Sequence, residues 1–242
     1  MKIKQKKSIV KTSILLTNLI NNRIYLGLLK TNWRPKNKKF LIGFKNNFCI
    51  FDLNQTLINM RNSFKLINMF HKLQKNILFV GFPRLEKEKI CNMLKVNQHY
   101  YLPHNSWVNG LLSSNRIILN KFNPKRVSSQ KDSLLDKFGG ILKLNKKPDL
   151  IVMYNNSFEA EALKESLNLN IPIISFINTQ DSAERIAYKI PGGFYANESG
   201  RMYYNLLMST FTSPYYVNRS FLKPSKKHEN KNTEKYINKN KR

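Results

Sequence analysis

Three apolar runs of strand length, each followed by a segment with helical periodicity, constrain this chain more than any other feature. "ILFV" at 77–80 meets Gly81 and then "RLEKEKICNMLK", a helix with Leu85, Ile90 and Leu94 inward. "PDLIVMYN", introduced by Pro148, precedes the helical "SFEAEALKESLNLN". "IPIISFIN", started by Pro172, leads to "YKIPGGFYANESGRMYYNLLMSTF", a short edge strand or turn and then a helix from about Ser199. Apolar strands alternating with amphipathic helices are the pattern of parallel βαβ units buried on both faces. Right-handed crossovers then leave an α/β fold as the expected architecture. It is a doubly wound, mainly parallel sheet in a three-layer sandwich, flavodoxin-like or Rossmann-like.

The remaining segments are less regular. Ile14, Leu15 and Leu19 suit one face of a helix within residues 8–29. "TNWRPKNKKFLIGFKNN" reads as an exposed basic loop fixed by Trp33 and Pro35, and "NFCIFDL" as a short strand ending at Asp52. Asp52 or Asn54 can cap the helix "QTLINMRNSFKLINMFHKL", where Leu57, Met60, Phe64, Ile67 and Phe70 recur at helical spacing. "HYYLP" suggests a short strand; a helix around 107–120, capped at Asn105 or Ser106, is expected after it. The polar, basic stretch from Asn123 to Asn145, with Gly139 and Gly140, reads as a linker or short irregular insertion. The expected organisation is a basic extension at 1–24, a core at 25–218 with an insertion at about 121–147, and a basic, flexible tail at 219–242.

Charge narrows the function. There are 42 Lys and Arg against 14 Asp and Glu, a formal net charge of +28. No acid precedes Asp52, although 12 basic residues do, and the tail from Arg219 carries 9 basic residues against Glu229 and Glu234. Self-repulsion on this scale calls for a polyanionic partner, nucleic acid first and an anionic membrane second. No apolar run approaches the roughly 20 residues that cross a bilayer. The first 30 residues mix Lys with "ILLTNLI" but lack the arginine richness of a cleaved import signal. Cys49 and Cys91, each among apolar neighbours, form neither a disulfide framework nor a metal motif. The 32 Asn, beside only 9 Gly, suit a gene of biased base composition such as small organellar genomes carry.

An enzyme reading finds little material. A dinucleotide fingerprint after the strand at 77–80 needs three glycines, so that backbone and pyrophosphate approach closely. Here Gly81 stands alone before Phe82, Pro83 and Arg84, and Pro83 removes an N–H that could face phosphate. No cofactor is expected. His71, His99, His104 and His228 show no metal spacing, and Glu159, Glu161 and Glu165 read as solvated helix surface. Asp149 lies at a strand start, and only Asp181 falls at the carboxyl end of a strand, where open sheets form crevices. A degenerate nucleotide-binding enzyme at Gly81 and Asp181 is the alternative to a binding role.

The binding reading has more. "NWRPKNKKF" clusters Arg34, Lys36, Lys38 and Lys39 with Trp33 and Phe40, cations for phosphates beside rings for unpaired bases. Arg84 and Lys87 follow the strand at its carboxyl end; His104, beside Trp107, reads as a loop histidine contacting a partner. Asn105, Asn109, Asn115 and Arg116 flank a loop and expected helix start, a place suited to anions. RNA is preferred to DNA because no helix-turn-helix, zinc finger or basic zipper pattern is present.

In order along the chain, these segments resemble the bacterial-type small-subunit ribosomal protein two family, and specifically an organelle-encoded, mitochondrial member rather than a plastid one. "LGLLKTNWRPKNKKFLIGFKNNFCIFDLNQT" resembles the family opening, with its W-N-P-K-like basic loop. "ILFVGFPR" resembles I-L-F-V-G-T-K-R, and "YYLPHNSWVNGLLSSN" resembles F-V-N-H-R-W-L-G-G-M-L-T-N. "PDLIVMYNNSFEAEALKESLNLNIPIISFINTQDSAERIAYKIPGG" is similar to the family's P-D, L-G-I-P-V, D-T-N and I-P-G-N series. The resemblance covers about residues 25–210. It implies a structural protein without enzymatic activity or cofactor, near the head–body junction of the small subunit, bound to ribosomal RNA and neighbouring proteins, with no stable homo-oligomer. Carried over by position, Arg34, Lys36 and Lys38 belong to the basic loop and Arg84 to the basic position after the strand. Trp107, Gly110 and Asn115 match W-x-x-G and T-N, while Thr179 and Gly192 match D-T-N and I-P-G; with Trp33, they are the expected structural or partner contacts. The chain departs from the family where Asn178, Gln180 and Gly193 replace D, N and N, and where Pro83 replaces a basic residue. The segment after Asn115 is also too short for the family's full helical hairpin, which is expected to be shortened or absent.

Overall fold

The computed structural model describes residues 14–82, 99–114, 138, 140–141, 144, 146–154, 160–193 and 197–211. In chain order, helix α1 covers residues 14–21 and is followed by strand β1 (Leu26–Leu29). Two short 3-10 helices (Lys30–Asn32 and Pro35–Phe40) lead into β2 (Leu41–Lys45) and β3 (Phe48–Phe51). Helix α2 (Leu53–Lys72), β4 (Ile77–Phe82), β5 (Tyr100–Pro103), β6 (Leu150–Met153) and α3 (Ala160–Asn168) come next. Strand β7 (Ile173–Ile177), β8 (Tyr188–Pro191) and helix α4 (Asn197–Phe211) complete the described chain.

The main sheet has the order β5-β4-β6-β7-β8, and every neighbouring pair is parallel. Counted within this sheet the order is 2-1-3-4-5, the doubly wound, flavodoxin-like arrangement. Alternation along each strand divides the core in two. Ile77, Phe79, Leu150, Val152, Ile174 and Phe176 face α1, α2 and α4, meeting Leu19, Met60, Ile67 and Tyr203. Leu78, Val80, Ile151, Met153, Ile173 and Ile177 face the other way, toward Ala162 of α3, Leu111, Leu112, Ile141 and Phe40. Both faces are covered, which is why these strands read as continuous apolar runs. Gly81 sits where the β4–β5 register shifts between Val80 and Phe82, with φ 81°. It bends a strand end in a region of backbone space that favours glycine.

The second, smaller sheet is antiparallel, in the order β1-β3-β2, and only β3 was expected. Residues 26–29 form β1 where helical periodicity to residue 29 was expected, and residues 35–45 contain a 3-10 helix and β2 where an exposed loop was expected. Asp52 does cap α2, its carboxylate accepting the Asn54 N–H at 2.9 Å. Leu19 and Ile24 are fully buried, so the core begins before residue 25. The expected helix around 107–120 is instead a series of turns through residue 114, and residues 115–120 lie outside the described set. Phe138, Ile141 and Leu144, placed by sequence in a polar linker, are buried in the second core cluster. The helix expected after Gly81, the shortened hairpin and the basic tail also lie outside the described residues.

At one end of α2, His71 is buried against His99, with Nδ1 and Nε2 3.0 Å apart. Phe211 of α4 closes the cluster edge-on to His71, 5.1 Å between ring centroids. Burial lowers both imidazole pKa values; with the charge of His71 added, that of His99 falls to about 3.

Candidate nucleic-acid interface

The basic loop owes its shape to two inward residues. Pro35 starts the second 3-10 helix with its φ already set and no N–H to satisfy. Residues three apart eclipse in a 3-10 turn, so Asn37 and Phe40 point the same way, into the protein. Asn37 is 1% exposed. Its side-chain amide donates to the carbonyls of Asn178, Thr179 and Asp181 at 3.3, 3.0 and 3.0 Å. The Arg34 backbone N–H donates to the Thr179 carbonyl at 2.9 Å. With these two side chains committed inward, Arg34, Lys36, Lys38 and Lys39 are all exposed. Lys36 forms an ion pair with Glu184, and the Lys39 ammonium lies 5.0 Å from the centroid of the neighbouring Phe40 ring. Trp33 is half-buried with its ring edge-on to Phe44 at 5.3 Å, so it packs the loop onto the small sheet. The Lys30 ammonium lies 5.2 Å from the same Phe44 ring.

The receiving surface is the turn after β7. The Asn178 N–H donates to the Asp181 carboxylate at 2.6 Å, and the Thr179 N–H to the Asn178 side-chain oxygen at 2.7 Å. Thr179 is fully buried, and its hydroxyl accepts the Leu28 N–H of β1 at 3.3 Å. The Gly192 N–H donates to the Ile177 carbonyl at 3.1 Å. Thr179 is therefore a joint between the two sheets, whereas Gly192 continues the β7–β8 pairing within the main one. Asp181, the residue on which an enzyme reading would rest, is 2% exposed and engaged in forming this turn.

A second turn holds His104, Trp107 and Gly110. Trp107 is half-buried at the margin of the second core cluster, and Gly110 adopts φ 85°, which a side chain would strain. The turn is clamped by Glu165 of α3. That carboxylate accepts the N–H groups of Gly110, Leu112 and Ser113 at 3.2, 2.9 and 2.8 Å, and the Ser113 hydroxyl at 2.9 Å. Glu165 was expected as solvated helix surface; it is the anchor of the W-x-x-G element instead. His104 lies on this turn, half-buried and away from the opening loop in sequence. Arg84, Lys87, Asn115 and Arg116 lie outside the described residues.

A family model for ribosomal protein S2 matches residues 19–213, four-fifths of the sequence and every element named above except part of α1. The chain belongs to the ribosomal protein S2 family. Its members are structural and not enzymes, which agrees with an Asp181 spent on a turn. The relatives are bacterial. A small ribosomal subunit protein uS2 of Rickettsia canadensis is 28% identical over 216 residues, covering 80% of this chain and 73% of its own length. The uS2 of Buchnera aphidicola subsp. Cinara cedri is 27% identical over 222 residues, covering 83% of this chain and 92% of its own. Within the family frame, the residues that sequence reading overlooked are Asn37 and Glu165. Asn37 is the neutral residue inside a run of cations, and Glu165 gives no local sign of partners more than fifty positions away.

Proposed function

We propose that this chain is a structural constituent of the small subunit of a mitochondrial ribosome, binding small-subunit ribosomal RNA and neighbouring ribosomal proteins near the head–body junction. The observation that carries the reading is the family match across residues 19–213. The net charge of +28 supports the RNA contact, because no internal set of carboxylates balances it. The mitochondrial assignment draws on the base-composition bias behind 32 Asn and 9 Gly.

Arg34, Lys36, Lys38 and Lys39 are the RNA contacts of the opening loop in this reading, and Arg84, Lys87, His104, Asn115 and Arg116 are further contacts. The basic residues ahead of α1 and those at 219–242 extend the contact. Phosphate contacts fix the position, while RNA shape and adjacent proteins supply specificity. The test is sedimentation of a mitochondrial lysate through a density gradient at moderate and high salt, following the chain by mass spectrometry. Stoichiometric co-migration with the small subunit is expected, with release at high salt. Recovery in the soluble fractions at low salt would end the ribosomal reading, and absence from purified mitochondria would end the organellar one.

A further inference from the structure

We infer that the RNA-facing surface extends beyond the opening loop onto the stretch at 185–189, where Arg185 and Lys189 take phosphate oxygens of a folded RNA backbone beside Lys39. The inference rests on the RNA-binding reading above and adds two residues and a second segment to it.

The two segments are held together by bonds already described. Asn37 reaches the carbonyls of Asn178, Thr179 and Asp181, and Arg34 donates to Thr179. Farther along the second segment, Lys36 pairs with Glu184. The hydrogen bond and charge of Lys36, followed by the charges of Arg185 and Arg34, hold the Glu184 carboxyl below its ordinary range. Cations from both segments therefore surround one exposed acid.

Lys189 belongs to the same surface. It is the direct parallel partner of Ser175, so it shares the sheet face of Ile173 and Ile177, on which Phe40 packs. Residue 39 is adjacent to that anchor. Lys189 is half-buried, and burial together with the charge of Lys39 makes its ammonium easier to deprotonate. A phosphate near both ammonium groups would favour their charged forms. Among the described residues, none of Lys39, Arg185 and Lys189 is in a salt bridge. Arg185 is exposed on this segment and holds φ 58°, a conformation uncommon for a side-chain-bearing residue. The spread of cations over two hydrogen-bonded segments fits the spaced phosphates of an RNA backbone better than a single bound ion.

The test uses the full chain and a fluorescein-labelled RNA hairpin, read by anisotropy across a potassium chloride series. Arg185→Gln with Lys189→Gln is expected to weaken binding about tenfold at moderate salt and to flatten the slope of log K against log salt by about 1.4 to 1.8, two phosphate contacts' worth. A control pair that removes the same charge from helix surfaces, Lys65→Gln with Lys164→Gln, is expected to change affinity less than about twofold. If the first pair misfolds by circular dichroism, the exposed Arg185→Gln alone carries the test, with an expected slope change of about 0.7 to 0.9. Equal effects of the two pairs would overturn the inference and leave the RNA-binding reading intact. A parent chain without salt-dependent binding would overturn the RNA-binding reading itself. Poly-glutamate displacing the hairpin at equal charge concentration would assign the surface to an acidic polypeptide and also overturn the inference.

Discussion

Replacing Asn37 removes no charge from the basic loop, yet it is expected to cost more than replacing any of the cations around it. The Asn37 side-chain amide has two N–H donors, and these serve three buried carbonyls at 3.0 to 3.3 Å. Each buried bond contributes about 1 kcal/mol net, and carbonyls left without a donor in a dry site add a desolvation cost of about 1 to 3 kcal/mol. Asn37→Ala should therefore destabilise by about 2 to 4 kcal/mol, a large part of the roughly 5 to 15 kcal/mol that a domain has. Asn37→Asp keeps the volume but turns a carboxylate oxygen toward three carbonyl oxygens, so the loss at neutral pH should exceed that of alanine. Acidification should recover part of it, because a protonated carboxyl restores one donor. The assay is urea denaturation followed by circular dichroism, with amide hydrogen exchange read at residues 34–40 and 178–181. Both segments should lose protection together. An Asn37→Ala variant within about 0.5 kcal/mol of the parent, with exchange unchanged in both segments, would refute the view that this amide holds them together.

Stability should fall as the pH drops below about 6.5, because the buried His99, with its pKa lowered to about 3, stays neutral in the folded chain while the unfolded chain takes up a proton. The loss is about 1.4 kcal/mol per pH unit from His99, with His71 adding in the same direction; a urea-midpoint series on the parent and on His99→Gln should show a shallower slope in the variant, and equal slopes would exclude His99 as a cause. Glu165→Gln keeps the shape of the clamp but replaces one acceptor oxygen with an amide that faces backbone N–H groups. A loss of about 2 to 3 kcal/mol, with faster exchange at residues 110–113, is expected, and an unchanged urea midpoint would show that the turn holds without it.

The main sheet was legible because its information is local. Ile77–Val80, the run after Pro148 and the run after Pro172 each announce a strand through uninterrupted apolar residues, and Asp52 announces α2 by its place before an amphipathic run. The small sheet was hidden for a physical reason. The register of β2 shifts between Leu41 and Gly43, which breaks the alternation by which a strand of five residues is recognised. Strand β1 has only four residues and follows α1 so closely that its leucines continue the helical pattern. Of the candidate site, the exposed cations could be read from composition, whereas their supports could not. Asn37 and Glu165 act on groups about 141 to 144 and 52 to 55 positions away, distances over which a sequence pattern carries no signal.

An uncharged amide, rather than a set of ion pairs, fastens the cationic loop to the main sheet. Electrolyte that screens Lys36 from Glu184 leaves the Asn37 bonds untouched, because neutral donors and carbonyls in a dry site feel little of the ionic atmosphere. The loop therefore keeps one shape across the ionic strengths at which a polyanion is gained or lost. If the chain binds a polyanion, a salt titration would therefore report counterion release and the screening of surface pairs such as Lys36–Glu184, with the backbone of the loop held in place.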